Sequence, residues 1–424
     1  MTSALLTAFL GLMVTGLPVA LAMAVASLVY VLVSGNTPPF VVMHRMISGI
    51  DSFPLLAVPF FIMAGNLMNT AGITNRIYNF ALALVGWMRG GLGHVNIVGS
   101  VIFAGMSGTA IADAAGLGTI EVKAMKDHGY STEFAVGVTA ASATLGPIIP
   151  PSLPFVIYGM FAGVSIGQLF LAGVIPGLVM AALMMVTVSY YARRRNFRRD
   201  AAFSWARLRK TSTEASLAIL SPALLIGGMV GGLFTPTEGA VAATIWALFL
   251  GFAWYRTLTW RMLVKVSMET IETTVVVLFI VAAASIFGWL LTVTKVTDHV
   301  TEYVLAFTHD KAMFLLLANL LMLFVGCFLE PIAAITILVP VLLPAVKQLG
   351  VDPVHFGLVM VLNLMIGLLH PPMGMVLFVL ARVARLSFER TTMAILPWLV
   401  PLLLSLALIT YVPAISLWLP RLFY

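Results

Sequence analysis

The chain is 424 residues long, 61% hydrophobic and only 9% charged, with a mean hydropathy of +1.06. Soluble domains carry roughly 25% charged residues, so a soluble fold is excluded and an all-α integral membrane protein is expected. The net charge of +7 reads as lysine and arginine in cytoplasmic loops, not as a nucleic-acid surface. A single cysteine, Cys327, excludes an internal disulfide or a cysteine-based metal site, and its apolar flanks make it a small packing residue.

In chain order, residues 3–34 are apolar, hinge at Gly16-Leu17-Pro18, and read as two short spans or one long kinked one. They lack a basic leader and a small-residue cleavage signal, so they are expected to be retained. Residues 35–51 read as a polar connection with His44 and Arg45. A span is expected over about 53–72, then an amphipathic piece from Ile73 to Arg89. The next apolar stretch, Gly91 to Gly129, carries Gly105-Met106-Ser107-Gly108-Thr109-Ala110-Ile111-Ala112-Asp113 at its middle. A polar turn between two half-length arms reads as a re-entrant hairpin, because neither arm crosses alone. A span over 131–165 is broken by Gly146-Pro147-Ile148-Ile149-Pro150-Pro151-Ser152, and another span covers 168–192.

Eight basic residues between Arg193 and Lys210 follow in one linker, the strongest orientation signal in the chain, and place it in the cytoplasm. Spans are expected at 216–233, 238–255 and 266–294, then an amphipathic piece holding Asp298, His299, Glu302 and Asp310. A second re-entrant candidate, Ala312 to Gly350, turns at Gly326-Cys327-Phe328-Leu329-Glu330-Pro331. The span over 355–385 is broken at Gly367-Leu368-Leu369-His370-Pro371-Pro372-Met373-Gly374, and a last span covers 391–418.

The two halves match without a gap at an offset of 221 residues. Gly105/Gly326, Lys126/Lys347, Gly129/Gly350, Gly146/Gly367, Pro150/Pro371 and Pro151/Pro372 are identical pairs, concentrated at turns. This is an internal repeat, with residues 1–192 as the first copy and 215–424 as the second. The first copy holds scaffold helices over 1–72 and a hairpin and broken helix over 91–165; a basic linker covers 193–214. The second copy holds scaffold helices over 215–294 and a hairpin and broken helix over 312–385. An inverted arrangement puts all but five of the 23 basic residues inside, leaving Arg45, Lys295, Lys311, Lys347 and Arg421 outside. The expected fold has about 10–12 transmembrane helices, two re-entrant hairpins and two broken helices.

Paired proline breaks at membrane depth strip backbone groups of partners and survive where they face a polar cavity, which points to a transport site. Hairpin tips and breaks offer carbonyl and hydroxyl oxygens to a small hard cation. The first half supplies Ser107, Gly108 and Thr109 with Gly146 to Ser152, and Asp113 lies about one turn beyond the tip. The second half supplies Glu330 and Pro331 with His370 to Gly374. Simpler readings stand beside these. Membrane Ser and Thr often bond a carbonyl one turn back, Asp113 or Glu330 could be neutralised by a hidden partner, and His370 could be a packed imidazole bonded to the break. Gly105-Met106-Ser107-Gly108 lacks the spacing of a nucleophile elbow, and no Gly-x4-Gly-Lys-Ser/Thr loop exists, so an enzyme or an ATP-driven pump is not expected.

The stretch Val58-Pro59-Phe60-Phe61-Ile62-Met63-Ala64-Gly65-Asn66, the turn from Ser107 to Ala115, the Gly146–Ser152 break and Thr235-Pro236-Thr237-Glu238 resemble the large membrane subunit of tripartite ATP-independent periplasmic (TRAP) transporters. The likeness covers the whole chain. It implies an elevator-type, Na⁺-coupled importer of the bacterial inner membrane with no bound cofactor. It also implies a separate small four-helix membrane subunit and a periplasmic substrate-binding protein as partners. Substrates of such systems are carboxylates, including C4-dicarboxylates and sialic acids. The resemblance implies Na⁺ ligation by Ser107, Gly108, Thr109, Gly146, Pro150, Glu330, Pro331, Gly367, Pro371 and Gly374. It implies substrate contact for Ser107, Thr109, Asp113, Pro151, Ser152, His370 and Pro372. Phe328 and Leu329 stand where the first tip has Ser107 and Gly108, so the second ion position must rest mainly on carbonyls. A binding-protein-independent anion or dicarboxylate exchanger of similar architecture is the alternative, and a channel or passive scaffold the third reading.

Overall fold

The computed structural model describes residues 2–35, 37–197, 199–371 and 374–424. Among them the chain is helical apart from one isolated bridge between Arg89 and Arg199. Helices α1 (Thr2–Val14), α2 (Val19–Ser34) and α3 (Phe40–Ile50) precede α4 (Ala57–Thr70) and α5 (Ile73–Val85). A first hairpin is built from α6 (Gly91–Ser107), α7 (Ala110–Ala115) and α8 (Leu117–Asp127), and a first broken helix from α9 (Thr132–Ala143) and α10 (Leu153–Ala162). The long α11 (Ile166–Arg194) runs into the basic stretch. Then come α12 (Trp205–Val230), α13 (Pro236–Phe249, extended by a π-turn to Trp254), α14 (Trp260–Val293) and α15 (Val296–Phe307). A second hairpin, α16 (Lys311–Gly326) and α17 (Pro331–Gln348), leads to a second broken helix, α18 (Pro353–Gly367) and α19 (Met375–Ala384). Finally come α20 (Phe388–Tyr411) and α21 (Ala414–Phe423).

Two expectations need correction. Residues 35–51 are not merely a connection: with Val42 buried and Met46 partly buried against the core, α3 packs on α14, where Arg45 stacks over Trp289. The final span is not continuous, since α20 stops at Tyr411 before Pro413 and α21 starts afresh. Residues 3–34 form two helices that pack on one another, so the chain turns back at Gly16, whose φ of 87° suits glycine. Each of the two is too short to cross a hydrocarbon core of about 30 Å by itself.

Helix starts follow the local chemistry. Ser131, Ser152, Ser165, Ser204, Thr259 and Ser387 each accept a first-turn amide, and Thr235 and Glu238 cap α13 reciprocally. The caps recur with the repeat: Thr109 and Glu330 open the second arms of the two hairpins, and Ser131 and Asp352 open the two broken helices. The element bounds recur as well. Ala110–Asp127, spanning α7 and α8, shifted by 221, becomes 331–348, the bounds of α17.

The hairpins enter from opposite ends. The mouth of the first lies on the basic stretch, where Asp200 accepts from the Leu92 amide at 3.0 Å and from the Tyr130 hydroxyl at 2.6 Å. The mouth of the second lies at the other end of α11, where the Tyr158 hydroxyl of α10 donates to the Pro353 carbonyl at 2.6 Å. The two mouths are therefore separated by the length of α11, whose 29 residues span about 44 Å. Seven helices among the described residues are long and apolar enough to cross a membrane, α17 included. Length alone misleads for α17, because its first residues line a central cavity and its last reach the second mouth.

The centre is α18, buried on every face from Val354 to Gly367, as expected of a helix that is apolar all round. Each hairpin is tied to its own broken helix by side-chain polar bonds. The Ser142 hydroxyl of α9 donates to Asn96 Oδ1 of α6 at 2.7 Å. At the matching position of α18, Asn363 Nδ2 donates to Asn319 Oδ1 of α16 at 2.8 Å. Outside this block, α4 and α13 run parallel and are joined by hydroxyl-to-carbonyl bonds: Thr237 to Phe53 at 3.1 Å and Thr244 to Phe60 at 2.8 Å, with Thr257 reaching Ala71 at 2.8 Å beyond the helix ends.

Candidate functional site

Both hairpin tips and both broken helices converge on one cavity of about 400 Å³. The first tip contributes Ser107, Gly108, Thr109 and Ala110, the second Glu330, Pro331 and Ile332. The first break contributes Pro147, Leu153 and Pro154, the second Met365 and Leu368. The opposite wall is formed by α4 and α14 through Ile62, Gly65, Asn66, Asn69, Thr273 and Val277. No lysine or arginine lines it among the described residues.

The tips and breaks meet backbone to backbone, and glycine makes this possible. A methyl group on Gly108, whose φ is +63°, would lie 2.8 Å from the Pro151 carbonyl oxygen. One on Gly146 would lie 2.9 Å from the Thr109 carbonyl oxygen. In the second half, a methyl on Gly367 would lie 2.8 Å from the Gly326 Cα. Gly65 of α4 sits as close to the first tip, its added methyl 3.2 Å from the Ser107 Cα. Backbone carbonyls thus crowd each tip–break junction, and oxygens gathered at membrane depth are of the kind that suits a hard cation.

Ser107 Oγ is the free side-chain group of this arrangement. The residue is 4% exposed, lines the cavity, and its hydroxyl has no hydrogen-bond partner. Thr109 and Glu330 line the cavity too, but both also cap helices. Thr109 Oγ1 accepts from the Ala112 amide at 3.2 Å, and Glu330 Oε2 accepts from the amides of Ile332 and Ala333 at 3.0 and 3.2 Å.

The sequence-expected residues separate into three groups. Ser107, Gly108, Thr109, Glu330 and Pro331 line the cavity. Gly146, Pro150, Pro151, Gly367 and Gly374 lie behind it, at or beside the junctions. A methyl on Gly105 would lie 3.8 Å from the Pro150 carbonyl, and one on Gly374 would lie 2.8 Å from the Leu368 carbonyl. The rest lie elsewhere or outside the described residues. Asp113 points away from the cavity into the hairpin, beside Ser100, because it lies on the packed side of α7. Ser152 is spent on the break itself, donating to the Pro147 carbonyl at 2.5 Å and accepting from the Phe155 amide. His370 bonds through Nδ1 with the Ile366 carbonyl at 3.0 Å, one turn back, and Pro371 is exposed; neither lines the cavity. Pro372 lies outside the described residues.

Sequence reasoning missed the far wall. Asn66 Nδ2 donates to Thr270 Oγ1 at 3.4 Å, and Asn69 Oδ1 accepts from the Thr74 hydroxyl at 2.9 Å. The available signal was spacing: Asn66 and Asn69 are three apart on an apolar helix, as are Thr270 and Thr273, so each pair shares a face.

Comparison with known proteins gives the family and the fold. Residues 6–415 match the family model described as the tripartite ATP-independent periplasmic transporter, DctM component. The chain is 45% identical over 415 residues, 98% of its length and 97% of the relative's, to the sialic acid TRAP transporter large permease protein SiaM of Vibrio cholerae. It is 36% identical to the C4-dicarboxylate TRAP transporter large permease protein DctM of the same organism, covering 97% of this chain and 96% of that one. Its fold is similar to that of the YdaH transporter of Alcanivorax borkumensis, with a TM-score of 0.62 at 16% identity and 88% of each chain covered. The chain therefore belongs to the DctM family, the large multi-pass membrane permeases of bacterial TRAP transporters.

Proposed function

We propose that this permease imports an organic acid, a sialic acid or a C4-dicarboxylate, in symport with Na⁺ across the bacterial inner membrane by an elevator movement. The observation that carries the proposal is the single cavity held between both tips and both breaks on one side and α4 and α14 on the other. Bonds between hairpin and broken helix make the first side one body, and the hydroxyl ladder makes α4 part of another. Sliding one against the other would expose the cavity to alternate sides. Because no lysine or arginine lines it, the charge of a carboxylate must be balanced by coupled cations and helix N-termini. The two tip–break junctions are the positions for those ions: Ser107, Gly108, Thr109 and Gly146 at one, Glu330, Pro331 and Gly367 at the other. The names of the relatives support the substrate class, and the tripartite family supports a small membrane subunit and a periplasmic binding protein as partners.

The test is uptake of labelled sialic acid and of a C4-dicarboxylate into proteoliposomes holding this chain, the small subunit and the binding protein. Uptake is expected to require an inward Na⁺ gradient and to be lost in Ser107→Ala. Undiminished uptake with choline in place of Na⁺ refutes the coupling. Uptake by this chain without a binding protein would mark it as a self-sufficient exchanger.

A further inference from the structure

Between the tip of the first hairpin and its mouth lies a polar cluster that takes no part in the central cavity. Asn96 of α6 donates through Nδ2 to Glu121 Oε2 of α8 at 2.5 Å and to Thr139 Oγ1 of α9 at 2.8 Å. Asp113 of α7 lies beside Ser100 of α6. A methyl added to Gly118 of α8 would stand 2.7 Å from Thr139 Cγ2 and 3.4 Å from the Asp113 carbonyl oxygen, and one added to Gly99 of α6 would lie 2.8 Å from Glu121 Oε1. Glu121 and Asp113 are 2% and 1% exposed, and Glu121 Oε1 and Asp113 Oδ2 have no hydrogen-bond partner. Neither forms an ion pair with a lysine, arginine or histidine among the described residues.

The fold does not need these groups. At the repeat offset of 221, Asp113, Glu121 and Thr139 correspond to Ala334, Leu342 and Met360, all buried. The second hairpin therefore builds the same architecture from apolar side chains. Burying a carboxylate without a charge partner is costly, and buried charges are normally paired or bound to a metal ion. A cluster this costly, present in one half only, calls for a positive charge.

We propose that the cluster is a cation site, distinct from the central cavity, that holds one small hard monovalent ion, Na⁺. Glu121 Oε1 and Asp113 Oδ2 are its free anionic donors, with the hydroxyls of Ser100 and Thr139 beside them. An all-oxygen set favours a hard cation. No three His, Cys, Asp or Glu converge among the described residues, and Ca²⁺, which takes six to eight oxygens, finds too few here. The bound ion joins α6, α7, α8 and α9 into one unit behind the first tip.

The test counts ions and needs no transport. Equilibrium ²²Na⁺ binding is measured on the full chain in lipid nanodiscs at fixed pH, with choline holding ionic strength constant. Glu121→Gln is expected to bind one Na⁺ fewer than the unaltered chain. Ser107→Ala, altered at the central cavity, is expected to keep the cluster ion, so the double variant binds fewer than either single one. Should Glu121→Gln fail to fold, the pair Asp113→Ala with Glu121→Leu carries the residues of the mirror hairpin and is expected to fold and lose the same ion. A Na⁺ count equal to that of the unaltered chain in either variant overturns the proposal. So does thermal stabilisation that follows pH and ignores Na⁺, since protons would then neutralise the carboxyls.

Discussion

Gly108 offers a sharp test of the junction between tip and break. Its φ of +63° is left-handed, so replacing it by alanine costs about 1–2 kcal/mol of backbone strain wherever it sits. At this position the new methyl would also stand 2.8 Å from the Pro151 carbonyl oxygen, where ordinary van der Waals contact begins at 3.4 Å. The neighbouring atom is backbone, so no side-chain rotation relieves it; tip and break must part by about 0.6 Å, the difference between those two distances. Displacements of that order at a reacting or binding centre lower turnover by about tenfold to a hundredfold. Gly129 supplies the control. Its φ is +82°, and an added methyl there meets nothing within 4 Å, so Gly129→Ala bears the same kind of strain without the clash. Uptake into proteoliposomes, with thermal unfolding followed in parallel, separates the two effects. Gly108→Ala should lose at least as much stability as Gly129→Ala, and only Gly108→Ala should lose transport by tenfold or more. Equal transport in the two variants would refute the view that the junction must close for function.

Ser107→Ala should abolish or strongly lower uptake while leaving stability within about 0.5 kcal/mol, because its hydroxyl bonds nothing in the protein; a large fall in melting temperature would show a structural role instead. Ser152→Ala should show the opposite bias, costing about 1–2 kcal/mol through loss of the α10 cap, as read by thermal unfolding. Trp398→Ala removes a ring that is 2% exposed and packed against Phe134 and Tyr191, and should cost about 3–5 kcal/mol by the same measurement. Asn66→Ala alters the wall opposite the tips and should weaken substrate affinity in uptake assays with little change in stability, because its one bond to Thr270 is long.

Much of this site could be read from backbone chemistry alone. Proline pairs and glycines act locally, so Gly146-Pro147 and Gly367-Leu368 announce breaks whatever surrounds them, and Thr109 and Glu330 lie at the hairpin turns those signals imply. Side-chain direction was not legible in the same way. Asp113 lies one turn from the tip, yet its place on the buried side of α7 depends on how α6 packs beside it. Ser152 belongs to a break motif, and only the fold of residues 147–155 shows its hydroxyl closing that break. Asn66 meets Thr270 across 204 residues of chain, a pairing that no local pattern encodes. The helix Phe40–Ile50 was obscured by His44 and Arg45, whose charges suggested a loop although Arg45 lies over Trp289.

The threonine bonds from α13 to α4 bear on how the passage opens. Thr237, Thr244 and Thr257 fasten carbonyls just before, in the first turn of and just beyond the end of α4, so a shift by even one residue would detach all three together. In the proposed elevator movement, the rail carrying Asn66 and Asn69 would thereby be the stator. A solute held against it would gain an exit only when the facing surface travels past, and the route's length would be set by the excursion of that surface.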